Sequence, residues 1–178
     1  MYWYVLFVLT GYEQRVANEI THTWPIDGIK PFVPMYDARF RRAGKVILEK
    51  RRWTPGYVLV ESPQKGLDFY LSIKPFIARS EYTLRMLRNG AIHLDESFEM
   101  DSREYALLQK LMNNEQCVEM SKGLIEGAKV IVTDGPLLGH EGLIKKINRH
   151  KMEATIHANF MGSLRELTVG LEIIQKTP

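Results

Sequence analysis

The chain has 178 residues, of which 45% are hydrophobic and 25% are charged. This is the composition of a folded globular protein, and it excludes collagen, coiled-coil rods, disordered tails and multi-span membrane proteins. The net charge of +3 is too small to indicate nucleic-acid binding by itself. The single cysteine, Cys117, excludes an internal disulfide and a cysteine-based metal site, and a reducing, cytoplasmic compartment is the simplest fit.

The first nine residues, MYWYVLFVL, are almost all apolar. A secretory signal requires a basic residue before its apolar run, and none precedes this one. The run is also far shorter than the roughly 20 residues of a membrane-spanning helix. Aromatic and β-branched residues dominate the run, which predicts a strand buried on both faces. We therefore expect neither an export signal nor a membrane anchor.

A helix is predicted over residues 12–23. Thr10 and Glu13 fit a capping box, in which each side chain pairs with a free backbone N–H of the first turn. Apolar residues then recur at helical spacing until Pro25 ends the pattern.

The middle of the chain has the alternating pattern of strands. Residues 31–62 predict a long two-stranded hairpin that turns at Ala43-Gly44, followed by a core strand at 57–60. The remaining predicted elements are a short helix over 67–74 that ends at Pro75, a strand at 76–78, a hairpin turn at Asn89-Gly90 between strands 83–87 and 91–94, and a helix capped by Asp101.

The carboxyl-terminal third has a different residue pattern. Residues 113–123 are polar and without a clear period, which predicts a linker. Four or five short strands separated by glycines follow, the pattern of a small barrel. The predicted fold class is therefore α+β, with an amino-terminal domain at 1–112, a linker at 113–123 and a small all-β barrel at 124–178.

No group of residues indicates catalysis. The five histidines are scattered and form no HExxH motif, and Cys117 lies in the predicted linker without a histidine nearby in sequence. The glycine-rich segment 135–142 lies between predicted strands and lacks the Lys-Ser/Thr pair of a phosphate-binding loop. We expect no catalytic residue, no metal site and no cofactor.

The strongest charge feature is the segment 38–52, ARFRRAGKVILEKRR, which has a net charge of +6 in fifteen residues. If Ala43-Gly44 is the turn, its cations all lie on one projecting hairpin. A two-stranded ribbon fits a nucleic-acid groove, and arginine side chains fit phosphates and guanine edges. The alternative is a charged hairpin that prevents edge-to-edge pairing. The candidate nucleic-acid contacts are Arg39, Arg41, Arg42, Lys45, Lys50, Arg51 and Arg52.

Motifs in the amino-terminal part and in the carboxyl-terminal part of the chain together resemble the NusG family of transcription elongation factors. The sequences WYV at 3–5, TGYE at 10–13 and WTPGYVLV at 53–60 are similar to the opening and the Pro-Gly-Tyr-Val strand of that family. The sequence from Gly127 to Gly142 resembles the KOW motif that closes these proteins. The order and the overall length match, so the resemblance covers nearly the whole chain.

The resemblance implies an NGN domain at 1–112, with an antiparallel sheet flanked by helices, and a KOW domain at 124–178. The NGN domain is expected to bind the clamp helices of RNA polymerase through an apolar depression with partly exposed contacts at Trp3, Tyr4, Trp53 and Tyr57. The KOW domain is expected to recruit the termination factor Rho or a ribosomal small-subunit protein, through Phe160 and Met161. A monomer in the cytoplasm is expected.

The sequence also departs from the family. Thr54 replaces the usual second phenylalanine, and Met161-Gly162-Ser163 replaces Phe-Gly-Arg. With the basic hairpin, these departures favour a specialised paralogue of the LoaP or RfaH kind, which suppresses termination on selected operons and is recruited by an RNA hairpin or by single-stranded DNA. The LoaP kind is favoured of the two, because the KOW part keeps a clear strand pattern and has no helix-favouring segment. A housekeeping elongation factor and a KOW-containing RNA-binding protein of the translation apparatus are the alternatives.

Overall fold

The computed structural model describes residues 1–24, 26–90 and 97–177, with the side chains of these residues except Arg41, Lys176 and Thr177. Two compact units are distinguished. The first comprises Met1–Val33, Thr54–Ala106 and Asn159–Ser163, and the second comprises Pro34–Trp53, Leu107–Ala158 and Leu164–Pro178.

Strands predominate in the described residues. In chain order, the elements are β1 (Tyr2–Val8), α1 (Glu13–Thr23), β2 (Lys30–Phe32), β3 (Met35–Arg42), β4 (Lys45–Arg52), β5 (Tyr57–Ser62), α2 (Gly66–Arg79), β6 (Thr83–Met86), α3 (Ser102–Leu111), β7 (Cys117–Val118), β8 (Ser121–Glu126), β9 (Lys129–Asp134), a 3₁₀ turn (Glu141–Leu143), β10 (Ile144–Asn148), β11 (Glu153–Phe160) and β12 (Ser163–Thr177).

The first unit is built on a four-stranded antiparallel sheet with the order β2-β5-β1-β6. The central strand β1 is buried on both faces, as predicted: Tyr4, Val5 and Leu6 have no exposed surface. Helix α1 adds Val16 and Ile20 to this core at helical spacing. The α+β architecture predicted for the chain is confirmed.

Helix α2 is longer than the sequence predicted. The predicted end at Pro75 and the predicted strand at 76–78 are wrong, because the helix continues through the proline to Arg79. The buried side chains Phe69, Ile73 and Phe76 follow one another at intervals of four and three residues, so they fall on one helical face. Burial of that face outweighs the backbone hydrogen bond that a proline cannot donate.

The capping box is only half correct. Helix α1 begins at Glu13, and no side chain caps it at Tyr12, so the hydroxyl of Thr10 does not have the predicted role. The Glu13 carboxylate does reach back to the N–H of Gly11, at 2.9 Å, and it also accepts the N–H of Gly56, at 2.7 Å. Glu13 therefore joins two turns of the first unit.

The second unit contains a five-stranded sheet with the order β10-β11-β12-β8-β9 and a three-stranded sheet with the order β4-β3-β7. Strand β7 and the start of β8 fall within residues 113–123, the predicted linker, and Cys117 and Val118 are buried. The small all-β region predicted for the carboxyl-terminal part is confirmed. The predicted strand at 91–94 lies outside the described residues, and among those described no helix is long and apolar enough to cross a membrane.

Candidate nucleic-acid and protein interfaces

The predicted basic hairpin is formed by β3 and β4, which pair from Met35↔Arg52 to Arg42↔Lys45. This register leaves a two-residue turn, Ala43-Gly44, with φ values of 50° and 77°. Two consecutive positive φ angles match the tight turn whose twist fits a hairpin. Arg42 and Lys45 are exposed beside this turn, so the predicted position of the tip is confirmed.

The register divides the cations of the hairpin between two faces, because directly paired residues share a face and neighbours alternate. The first face carries the positions of Arg39, Arg41, Lys50 and Arg52, and the second carries those of Arg42, Lys45 and Arg51. Exposed apolar side chains, Val46 and Leu48, lie among the cations of the first face. The cations thus lie on one hairpin, as expected, but their positions are divided between its two faces.

Several of these cations form ion pairs with carboxylates of the second unit. Arg39 donates to Glu172 at 2.6 Å, and both side chains are about a quarter exposed. Lys50 lies 3.1 Å from Glu115, whose hydrogen bond raises the pKa of this lysine. A nucleic-acid phosphate would have to replace these carboxylates or approach beside them.

Arg51 has two carboxylate neighbours, Glu49 at 3.2 Å and Glu153 at 3.6 Å. Its guanidinium also lies over the ring of Phe40, 5.4 Å from the centroid. These contacts hold the side chain against the hairpin, although it remains exposed. By contrast, no described residue forms an ion pair with Arg42 or Lys45 at the tip. The hairpin thus has paired cations along its strands and unpaired ones at its turn.

Two of the predicted polymerase contacts are buried in the first unit. Tyr4 has no exposed surface, and its hydroxyl donates to the carbonyl of Gln64 and accepts the N–H of Gly66. Burial raises the pKa of Tyr4. Trp3 is 6% exposed and donates its indole N–H to Glu61 at 3.1 Å. The expectation that these two rings are partly exposed is wrong, because both complete the core with satisfied polar groups.

Trp53 in the second unit is also buried, at 3% exposure, so the expectation of a partly exposed ring is wrong there too. Tyr57 is half-buried, as expected of a contact residue. Its ring centroid lies 5.6 Å from that of Phe7 and 5.4 Å from that of Phe160. Among the four predicted aromatic contacts, Tyr57 is thus the one that is not buried.

Phe160 and Met161, the predicted partner contacts of the KOW domain, are buried in the first unit, at 2% and 5% exposure. The carboxylate of Glu104 accepts the N–H of Met161 at 2.8 Å and that of Gly162 at 3.0 Å. Burial raises the pKa of Glu104, and the two N–H groups oppose that shift. Neither side chain is available at the surface in this structure, and sequence reasoning gave no signal for the role of Glu104.

Sequence reasoning also missed a basic segment at residues 145–151, KKINRHK. Residues 145–148 end strand β10 and residues 149–151 belong to the turn that leads to β11, and we call the whole segment the basic turn. Its four lysine and arginine side chains and its histidine are exposed: Lys145, Lys146, Arg149, Lys151 and His150. Its seven residues include four cations and no acidic residue. A local charge count would have found it, whereas summing over the carboxyl-terminal third, where acidic and basic residues balance, hides it.

Comparisons with known proteins agree with this architecture. The family model described as "Transcription termination factor nusG" matches residues 1–87, and the KOW motif model matches residues 126–158. The relatives are each described as "Transcription termination/antitermination protein NusG". The protein of Pasteurella multocida is 23% identical over 98% of this chain and 94% of its own length. That of Bacillus subtilis is 24% identical over 97% and 96%, and that of Escherichia coli K12 is 21% identical over 98% and 95%.

Proposed function

The chain belongs to the NusG family of transcription termination/antitermination factors, and we propose that it binds RNA polymerase and suppresses termination on selected operons to which an RNA signal recruits it. The observation that carries the specialised role is the basic hairpin, whose tip presents Arg42 and Lys45 without carboxylate partners in the described part of the chain. The protein would catalyse no reaction; its effect on transcription would come from binding.

Polymerase binding is proposed for the first unit, through the surface around Tyr57. The apolar rings of Tyr57 and Phe7 pack side by side on the sheet formed by β1 and β5. A half-buried aromatic side chain supported by a rigid sheet is a suitable anchor for an apolar partner such as the clamp helices. Trp3 and Tyr4 would support this surface from the core of the first unit rather than contact the polymerase.

The mechanism follows from binding linkage. A factor that binds the closed, elongating form of the polymerase more tightly than the open, paused form shifts the population toward elongation. A coupling free energy of about 1–3 kcal/mol changes such an equilibrium by roughly 5-fold to 150-fold.

Recruitment is proposed to use the hairpin and structured RNA. Arginine and lysine side chains beside a narrow turn can reach phosphates and base edges of a distorted helix. Single-stranded DNA is the less suitable ligand, because its usual binding sites stack bases on several aromatic side chains. Phe40 is the hairpin's aromatic nearest to the tip, and Arg51 already covers its ring.

The test is transcription through a terminator with purified polymerase and the full-length protein. Templates carry the leader of the protein's own operon or a shuffled leader of the same composition. We expect readthrough to rise on the natural leader alone, and Arg42→Gln with Lys45→Gln to abolish the difference. Equal stimulation on both leaders would contradict the specialised role.

Polymerase binding is tested separately with Tyr57→Ala, which should weaken retention on immobilised polymerase. Tyr12→Ala is the matched control, because Tyr12 is 40% exposed and its ring stacks on Tyr82 rather than on Phe7 or Phe160. An equal effect of the two substitutions would contradict a specific role for Tyr57.

A housekeeping role is the second candidate, because the relatives that match nearly the whole chain are described as termination/antitermination proteins without a specialised target. Equal stimulation of elongation on unrelated templates would support it. Retention on ribosomes and not on polymerase would instead favour an RNA-binding protein of the translation apparatus.

A further inference from the structure

The basic turn at residues 145–151 is a concentration of charge that the proposed function does not yet use. Its four cations, Lys145, Lys146, Arg149 and Lys151, are exposed, and none of them forms an ion pair within the described residues. Four unpaired like charges in seven residues repel one another, and an anion would relieve that repulsion. The turn is also held in place, because the Asn148 side chain accepts the N–H of Lys151 at 3.1 Å.

The turn borders a cleft of about 640 Å³ in the second unit. Its walls include Lys146, Arg149 and His150 on the turn, with Glu172 and Ile173 of β12 among the other lining residues. Glu172 is the residue that accepts from Arg39 of the hairpin. A carboxylate thus lies among the lining residues, so an anion would bind beside the exposed cations more favourably than beside Glu172.

The hairpin also reaches the other flank of the turn. Glu153 follows Lys151 by two residues, and it contacts Arg51 at 3.6 Å and the Tyr36 hydroxyl at 3.5 Å. The two carboxylates that contact the hairpin, Glu153 and Glu172, thus lie near the turn as well, Glu153 by its place in sequence and Glu172 in the lining of the cleft, within one compact unit. Among the described residues, neither carboxylate forms an ion pair with a cation of the turn.

We propose that the basic turn binds backbone phosphates of the same RNA that the hairpin recognises, so that the second unit offers one continuous interface. This inference rests on the proposed function. In this division of roles the turn contacts phosphates, which gives affinity and orientation without sequence preference, and the hairpin tip contacts base edges, which gives the preference. A double-stranded RNA stretch is the favoured partner, because its regularly spaced phosphates can span two cation clusters.

The experiment measures binding of the full-length protein to its leader RNA and to a shuffled RNA duplex over a range of salt concentrations. The test variant is Arg149→Gln with Lys151→Gln. The matched control is Arg165→Gln with Lys129→Gln, which also removes one arginine and one lysine, both exposed, from other elements of the second unit. Circular dichroism of each variant verifies folding.

Each duplex phosphate that is neutralised contributes roughly 0.9 to the slope of log affinity against log salt concentration. We expect the test variant to lower the slope by about one to two units and the affinity at 0.1 M salt on the order of 10-fold to 100-fold, equally for both RNAs. The control variant should leave both quantities unchanged.

An unchanged slope in the test variant, with binding that still depends on Arg42 and Lys45, would overturn the role of the turn and leave the proposed function standing. Loss of preference for the leader in the test variant would also overturn it, because phosphate contacts carry no preference. If the unmodified protein binds neither RNA, both proposals fail together. If polyglutamate competes as strongly as the duplex, the turn is a site for acidic peptides, and the RNA proposal is overturned.

Discussion

Replacing Glu13 with alanine should destabilise the first unit, because this buried carboxylate joins two turns. Its oxygens accept the N–H of Gly56 at 2.7 Å and that of Gly11 at 2.9 Å. Gly56 is buried and Gly11 is exposed. In the alanine variant water can replace the carboxylate at Gly11, whereas the N–H of Gly56 loses its acceptor in the interior.

The magnitude follows from that difference. A buried donor left without a partner costs about 1–3 kcal/mol, and an exposed one costs little, so we expect a loss of about 2 kcal/mol. Glu19→Ala on the same helix is the control. Glu19 forms an exposed ion pair with Arg15 at 3.1 Å, and surface pairs of this spacing contribute about 0.3–0.5 kcal/mol.

The assay is native-state hydrogen exchange of the slowest amides in β1 and β5 of the full-length protein. A loss of about 2 kcal/mol accelerates exchange roughly 30-fold, against about 2-fold for the control. Glu13→Gln, which retains one acceptor oxygen, should fall between the two. Equal acceleration in the Glu13→Ala and Glu19→Ala variants would refute the reasoning that the buried amide sets the cost.

Three further predictions concern other buried groups. Burial raises the pKa of Glu104, so its contribution to the free energy of unfolding is present below its unfolded-state pKa and is lost as pH rises through its folded-state pKa. Urea unfolding at a series of pH values should show this dependence, and Glu104→Gln should flatten it. Burial raises the pKa of the Cys117 thiol to about 11, so iodoacetamide at pH 8 should alkylate the native protein far more slowly than the urea-unfolded chain, and equal rates would contradict the burial. A methyl group at Gly170 would collide with the backbone oxygen of Asp37, so Gly170→Ala should lower thermal stability by about 1–3 kcal/mol, while Gly142→Ala, in open space, should cost far less.

Local patterns predicted the elements whose neighbours in sequence decide their structure. Strand β1, helix α1 and the Ala43-Gly44 turn each follow from a short run of residues. The course of α2 through Pro75 did not, because it depends on the burial of Phe76, which is a tertiary property. The unfavourable effect of a proline inside a helix is real, but in α2 the burial of the apolar face outweighs it.

The candidate site shows the same division more sharply. The charge and position of the hairpin could be read from fifteen residues, but its partners could not. Arg39 meets Glu172 across 133 positions of sequence, and no local pattern identifies that carboxylate. Likewise, the sequence of a family motif does not distinguish an aromatic residue that contacts a partner from one that packs in the core. The full burial of Tyr4 depends on the sheet around it.

Affinity and preference for RNA should therefore be separable in this protein. Phosphate contacts act on every sequence alike, and this is the role proposed for the exposed cations of the basic turn. Preference requires side chains that reach base edges, which the hairpin tip at Arg42 and Lys45 can provide. Variants of the turn should change the salt dependence and leave the choice of leader intact, whereas variants of the tip should weaken that choice. A factor confined to few operons needs the second property, because the first would hold it on every transcript equally.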